Sequence, residues 1–344
     1  MRFIGEGCAP RPRLWYNGTW KRFNLSQVVA ISRQEWRTIQ FTPFHIEDKP
    51  LLDRYFREHH YEQSECAFGT LFIWQDAFRL AWAIEDDVLF IRAGRYGHEF
   101  LLPPFSGENN SFVGGLRRAE EWFREQGLPF LLKGASPWVV ERMHELCPDC
   151  YTYTEDRDNF EYIYLTSDLI DLPGKPFRQK KNHLNAFRRN FIGYEYVTLG
   201  PDDKDECMQV ASHWLEEHQT TADMEAEQRG IARLFDYWEP LEVKGGAIRW
   251  QGKIVAFSVG EYIHPEMAVI HIEKADPTMR GSYQAINYEF VRHAWADTTY
   301  INREEDMGID GLRQAKMSYQ PHHFAEKYDI RLADEDCGCE EEDV

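Results

Sequence analysis

The segment from Ala268 to Phe290, AVIHIEKADPTMRGSYQAINYEF, reads as a strand, a tight loop and a helix. Branched and apolar residues predict a half-buried strand over Ala268 to Ala275, Pro277 and Gly281 interrupt it, and helical spacing resumes from Ser282 to Trp295. A loop placed before a helix aims backbone N–H groups, and the positive end of the helix dipole, at whatever lies in front of it. The loop Arg280 to Tyr283 is therefore a candidate anion pocket, with Asn287 one turn further along the helix. Strand alternation predicts that His271 and Glu273 share a face. That pairing reads either as a base and its orienting partner or as a satisfied polar pair.

Downstream, Thr299 to Asn302 reads as a strand and Gly311 to Tyr319 as a helix closed by Pro321. In NREEDMGIDGLRQAKMSYQP, Asn302 to Pro321, Asp310 can cap a helix carrying Arg313, Lys316 and Tyr319 on one side. A cation in the first turn opposes the dipole, so Arg313 calls for an anion. Glu304 and Asp306 are near enough in sequence to supply one, and a bound phosphate or carboxylate is the alternative.

Upstream lies FRQKKNHLNAFRRNF, Phe177 to Phe191, in a stretch from Leu172 to Tyr194 that has no Asp or Glu although the chain carries a formal net charge of -19. On a helical wheel Phe177, Leu184, Phe187 and Phe191 form an apolar seam, with Arg178, Lys181, Arg188 and Arg189 on an adjacent stripe. Lys180 falls off that stripe; with His183 it completes the set assigned here to a polyanion.

Elsewhere helices are predicted at Leu51 to His60, Phe112 to Gln126, Pro137 to Leu146, Asp203 to His218 and Glu225 to Trp238. Strands are predicted at Thr70 to Ile84, Val88 to Ile91, Pro129 to Lys133 and Tyr151 to Leu165, and a hairpin at Gly246 to Tyr262 turning through Gln251-Gly252. The alternation indicates an α/β (α+β) class. An acidic chain of 344 residues, 43% of them hydrophobic, has ample core and no general affinity for nucleic acid, so DNA is not an expected partner. Seven cysteines, Cys147 and Cys150 in CxxC spacing among them, read as reduced thiols and not as a metal site. No apolar run is long enough to span a bilayer, which points to a cytoplasmic protein. Residues 1–38 lack periodicity and 332–344 form an acidic low-complexity tail.

The order strand, RG loop, helix, strand resembles the core of the GNAT acyltransferase fold. Taken together, GKPFRQKKNHLNAFRRNF, GGAIRWQGKIVAFSVGE, HIEKA and NREEDMGIDGLRQAKMSYQP resemble the bacterial family named for the C-terminal domain of phosphatidylglycerol lysyltransferase, from about Phe41 to Arg331. The resemblance implies two tandem GNAT-like domains, expected at 39–166 and 167–331, each a mixed sheet flanked by helices, with the active site in the second. It also implies acyl transfer. Membrane-bound members move an aminoacyl group from charged tRNA to a lipid head group, whereas this chain resembles only their catalytic part.

The expected activity is aminoacyl transfer to an amine or hydroxyl of a small molecule, peptide or lipid head group. Aminoacyl-tRNA, or acyl-coenzyme A, would serve as co-substrate, with no tightly bound cofactor and no metal. The single glycine in Arg280-Gly281-Ser282-Tyr283-Gln284-Ala285, where the GNAT pattern has two small residues, weighs against coenzyme A. His271 or Glu273 would be the base, and Arg303, Arg313 and Lys316 would hold donor phosphate or carboxylate. The alternatives are a coenzyme A-dependent N-acyltransferase and a non-catalytic binding module. Convergence of His271, Glu273 and Arg313 in one pocket would favour an enzyme over the module.

Overall fold

The Met267–Ala275 strand is the central element of a seven-stranded sheet whose order is Glu195–Thr198, Lys244–Trp250, Lys253–His264, Met267–Ala275, Tyr300–Asn302, Glu161–Leu165 and His323–Ala325. In this computed structural model, residues 13–16, 19–22, 38–57, 60–95, 97–106, 109–216 and 222–333 are described. Residues 1–38 and 39–344 form separate units. In the first, expected to lack periodic order, the strands Arg13–Tyr16 and Thr19–Arg22 pair antiparallel. The rest of that extension, and the tail from 334 onward, lie outside the described residues.

A second seven-stranded sheet runs Thr42–Pro43, Ala81–Glu85, Val88–Arg95, His98–Leu101, Leu131–Ala135, Tyr328–Leu332 and Tyr151–Glu155. The boundaries 39–166 and 167–331 do not follow the sheets. Glu161–Leu165 belongs to the sheet of the C-terminal half, and Tyr328–Leu332 returns to the N-terminal sheet. The reading of Tyr151 to Leu165 as one strand region is corrected by the same fact. A turn at Arg157–Asn159 cuts it in two and sends the pieces to different sheets.

The two crossovers are tied together. The Lys327 ammonium, 2% exposed, donates to Glu161 and Glu65 at 2.6 Å each, and Glu161, wholly buried, also accepts from the Ser64 backbone at 2.9 Å and from Asn302.

The expected strand over Thr70 to Ile84 is a helix, Phe68–Trp74, followed by the Ala81–Glu85 strand. Every residue from Phe68 to Ile73 is buried, so no polar face marks a helical period, and packing decides what periodicity could not. That helix lies against Ala222–Asp236, where the Ile73 carbonyl stands 3.2 Å from the position a Cβ on Gly230 would take. Cys147 and Cys150, expected as reduced thiols, form a disulfide with a Cα separation of 5.4 Å; Cys66 and Cys207 are free and buried.

The basic segment folds as the Arg178–Asn190 helix. Phe177, Leu184 and Phe187 are buried as the wheel predicts, each burial stabilising by roughly 1.5–3 kcal/mol. Phe191 completes the seam against Trp250, ring centroids 5.2 Å apart.

Candidate functional site

The Met267–Ala275 strand runs parallel to Tyr300–Asn302 only from Met267 to Val269. Beyond that point it stays paired to Lys253–His264 on one side and parts from its parallel neighbour on the other, opening a wedge. Glu273 projects into the wedge. Its carboxylate accepts from Arg303 Nη2 at 2.8 Å and from Asn287 Nδ2 at 3.1 Å, Asn287 being one turn inside the helix Ser282–Ala294. Arg303 is sandwiched by aromatic rings, with its guanidinium 4.8 Å from the Tyr319 ring centroid and 5.7 Å from that of Tyr164.

Lys180, 8% exposed, reaches the same place from the basic helix, its Nζ 3.9 Å from the centroid of the Tyr319 ring. No carboxylate among the described residues pairs with it. Burial and the neighbouring Arg303 charge push its ammonium down to about 8. Burial lifts Tyr283, near Glu273, to about 12 and also lifts Tyr319. Two buried polar atoms of this cluster, Arg303 Nη1 and Asn287 Oδ1, have no hydrogen-bond partner among the described residues. The wedge thus holds one carboxylate, two cations and unused donor and acceptor capacity.

The loop closes the wedge on the basic helix. Gly281 has a φ of +91°, and a Cβ there would lie 2.5 Å from the His183 carbonyl oxygen, so any larger residue would separate loop from helix. His183, lowered by burial and by Arg280 and Lys180, sits at this contact.

His271 is not part of the wedge. The register against Lys253–His264 slips between Val259–Ile272 and Gly260–Ile270, making His271 a bulged residue and reversing the alternation that follows it. Gly260 permits the bulge, since a Cβ there would stand 2.2 Å from the Val269 carbonyl oxygen. His271 and Glu273 therefore do not share a face, correcting the sequence expectation. The His271 ring lies between Glu261 (Nε2 to Oε1, 3.0 Å) and Glu304 (Nδ1 to Oε1, 3.1 Å), beside Thr70 of the buried helix. Burial pushes its pKa down, but the two carboxylates more than offset this and raise it to about 9, so at neutral pH it is an imidazolium and a poor base. Burial raises Glu304 against the pull of His271.

An imidazole whose pKa rises on folding stabilises the protein fully below its ordinary 6.5, and that stabilisation disappears as pH climbs through 9. Urea midpoints are expected to fall between pH 7 and pH 10, and less steeply in His271→Gln. Parallel slopes would remove this role from His271.

Arg313 and Lys316, expected to hold a donor, are engaged by side chains and carbonyls of the fold. Arg313 grips Asp306 through Nε (2.9 Å) and Nη2 (2.8 Å) and reaches Asp158 at 2.6 Å, so the anion demanded by the dipole is a side chain. Burial pushes Asp306 up, but bonds from Arg313 and Tyr162 hold it at about 2. Lys316 Nζ donates to the carbonyls of Arg303 (2.7 Å), Glu304 (3.1 Å) and Glu305, bracing the backbone behind the wedge. His271, Glu273 and Arg313 accordingly do not converge; Glu273 pairs with Arg303 instead, and Lys180 stands over the neighbouring Tyr319 ring. Of the basic stripe assigned to a polyanion, Arg188 is bound to Tyr194 and to the distant Glu289 at 3.4 Å each. Arg178, Lys181 and Arg189 are exposed. Tyr164, against Arg303, carries no sequence signal beyond its place in an aromatic run.

No helix among the described residues is long and apolar enough to cross a membrane. The structure is similar to a conserved protein of unknown function from Bacteroides thetaiotaomicron, with a TM-score of 0.81, 32% identity, and coverage of 86% of this chain and all of that one. It is also similar to L-PGS from Bacillus licheniformis, with a TM-score of 0.60, 16% identity, and coverage of 83% and 92%, a likeness of fold. An uncharacterized protein of Mycoplasmoides gallisepticum is 27% identical over 176 residues, 50% of this chain and 56% of that protein, so the match spans about half the length of that curated relative. The two mixed sheets and their flanking helices give the expected α/β (α+β) class. Residues 56–331 match the model of the family described as phosphatidylglycerol lysyltransferase, C-terminal, and the chain belongs to that family.

Proposed function

We propose that this chain is an acyltransferase that moves an aminoacyl group from aminoacyl-tRNA to an amine or hydroxyl acceptor in the cytoplasm. Family membership and fold support acyl transfer in the broad sense. One observation carries the finer reading: a single helix places Lys180 inside the wedge and Arg178, Lys181 and Arg189 outside it. A donor with a phosphate backbone would lie along the exposed cations while its acyl end enters beside Lys180.

In that arrangement Glu273 takes the proton of the attacking N–H or O–H, and the new bond forms at the acyl carbon. Arg303 Nη1 is free to hold the developing oxyanion in a dry setting. As the ester C–O bond breaks, the Lys180 ammonium, with a pKa near 8, gives its proton to the leaving ribose oxygen.

The test is a donor screen of aminoacyl-tRNAs against acyl-coenzyme A, with product mass as the readout. Product from coenzyme A alone would replace this reading with an N-acyltransferase. No product from any donor, with tRNA still bound, would leave a binding module. Reversal of Arg178, Lys181 and Arg189 to Glu is expected to weaken labelled-tRNA binding by about tenfold or more in low salt and to flatten its salt dependence. Binding that is unchanged and insensitive to salt would exclude the helix as the tRNA surface.

A further inference from the structure

Away from the wedge, the turn between Lys253–His264 and Met267–Ala275 brings His264 and Glu266 against His60, which follows the helix Lys49–Phe56 of the N-terminal half. One ligand atom from each of the three lies within 4.8 Å of the others. Glu266 Oε2 is 3.8 Å from His60 Nδ1, and the two imidazole rings are 4.9 Å apart between centroids. We propose that His60, His264 and Glu266 form a binding site for a divalent transition metal of the zinc type, joining the two halves of the chain.

The donor set favours it. Two imidazoles and one carboxylate are ligands that zinc accepts, and ligands about 2.0–2.2 Å from one ion stand a little over 3 Å apart. Side chains as exposed as His60 (73%) and Glu266 (63%) can close the remaining gap by rotation. Among the described residues no Lys or Arg pairs with Glu266, so its charge is available. The backbone under the site is held: the Glu266 carbonyl accepts from the N–H groups of both Thr299 and Tyr300 at 2.9 Å. Beside it, His323 Nε2 lies 2.9 Å from Glu62 Oε1, a carboxylate–imidazole pair that would border the ion. Three protein ligands leave a fourth position for water.

The chelator-stripped full-length protein is titrated with Zn²⁺ by calorimetry, and with Co²⁺ by visible absorption, which reports coordination geometry. The expected result is binding in the micromolar range that is weakened at least about tenfold in His60→Ala/His264→Ala and by Glu266→Gln. A His322→Ala/His323→Ala variant is expected to retain the stoichiometry. His60 and Glu266 are exposed and His264 is half-buried, and unchanged urea midpoints of the stripped variants exclude misfolding. Failure of either ion to bind, or binding that survives the His60/His264 double variant, would overturn the proposal.

Discussion

Glu273→Gln is expected to lower the turnover of the donor identified in the screen by about 10²–10⁴-fold, the range associated with loss of a general base. The amide is nearly isosteric: its oxygen can still accept from Arg303, and its NH2 can donate to Asn287 Oδ1 once the Asn287 amide turns over, so the wedge should keep its shape. What it cannot do is take a proton. The distinguishing measurement is single-turnover kinetics at saturating donor. A fall confined to the chemical step supports the base role, whereas a rise in KM with kcat preserved would reduce Glu273 to a holder of Arg303. Rates that are unaffected would remove Glu273 from the reaction altogether.

The largest effect on stability is expected at Lys327→Met. Among the described residues its ammonium is the sole cation bonded to Glu161, a carboxylate with no exposed surface, and it also serves Glu65, which burial already raises to about 7. Glu161 itself is held below the ordinary range, burial raising it and Lys327 pulling it down further. Removing one partner of a buried pair strands the other, a loss of about 3–5 kcal/mol. Pairing the substitution with Glu161→Gln should recover part of it, because the uncompensated charge goes too. Urea denaturation of the three proteins at pH 7 measures this; a loss below about 1 kcal/mol for Lys327→Met would show that water or relaxation satisfies Glu161.

The strand, the RG loop and the helix of Ala268 to Phe290 were legible because each has a local signal in alternation, in glycine or in helical spacing. The position of His271 was not, because a bulge depends on a neighbouring strand: Gly260, eleven residues earlier, reads as an ordinary strand glycine until the two backbones are side by side. Lys180 was legible in part. Phe177, Lys180, Leu184, Phe187 and Phe191 share one helical seam, and a lysine that departs from a basic stripe into an apolar seam has a buried destination. Arg313 shows the reverse case, where the dipole argument correctly required an anion and only three-dimensional contact with Asp306 and Asp158 showed that the chain supplies it. The allocation of Glu161–Leu165 and Tyr328–Leu332 to opposite sheets left no mark in periodicity, since a strand looks the same whichever sheet it joins.

That exchange has a bearing on synthesis. Tyr328–Leu332 occupies the slot between Leu131–Ala135 and Tyr151–Glu155 and hydrogen-bonds to both. While the ribosome is still making the intervening residues, the earlier sheet has a gap with unpaired backbone on either side, and only emergence of the segment around residue 330 fills it. The early sheet is therefore completed only after the strands of the later sheet have been made.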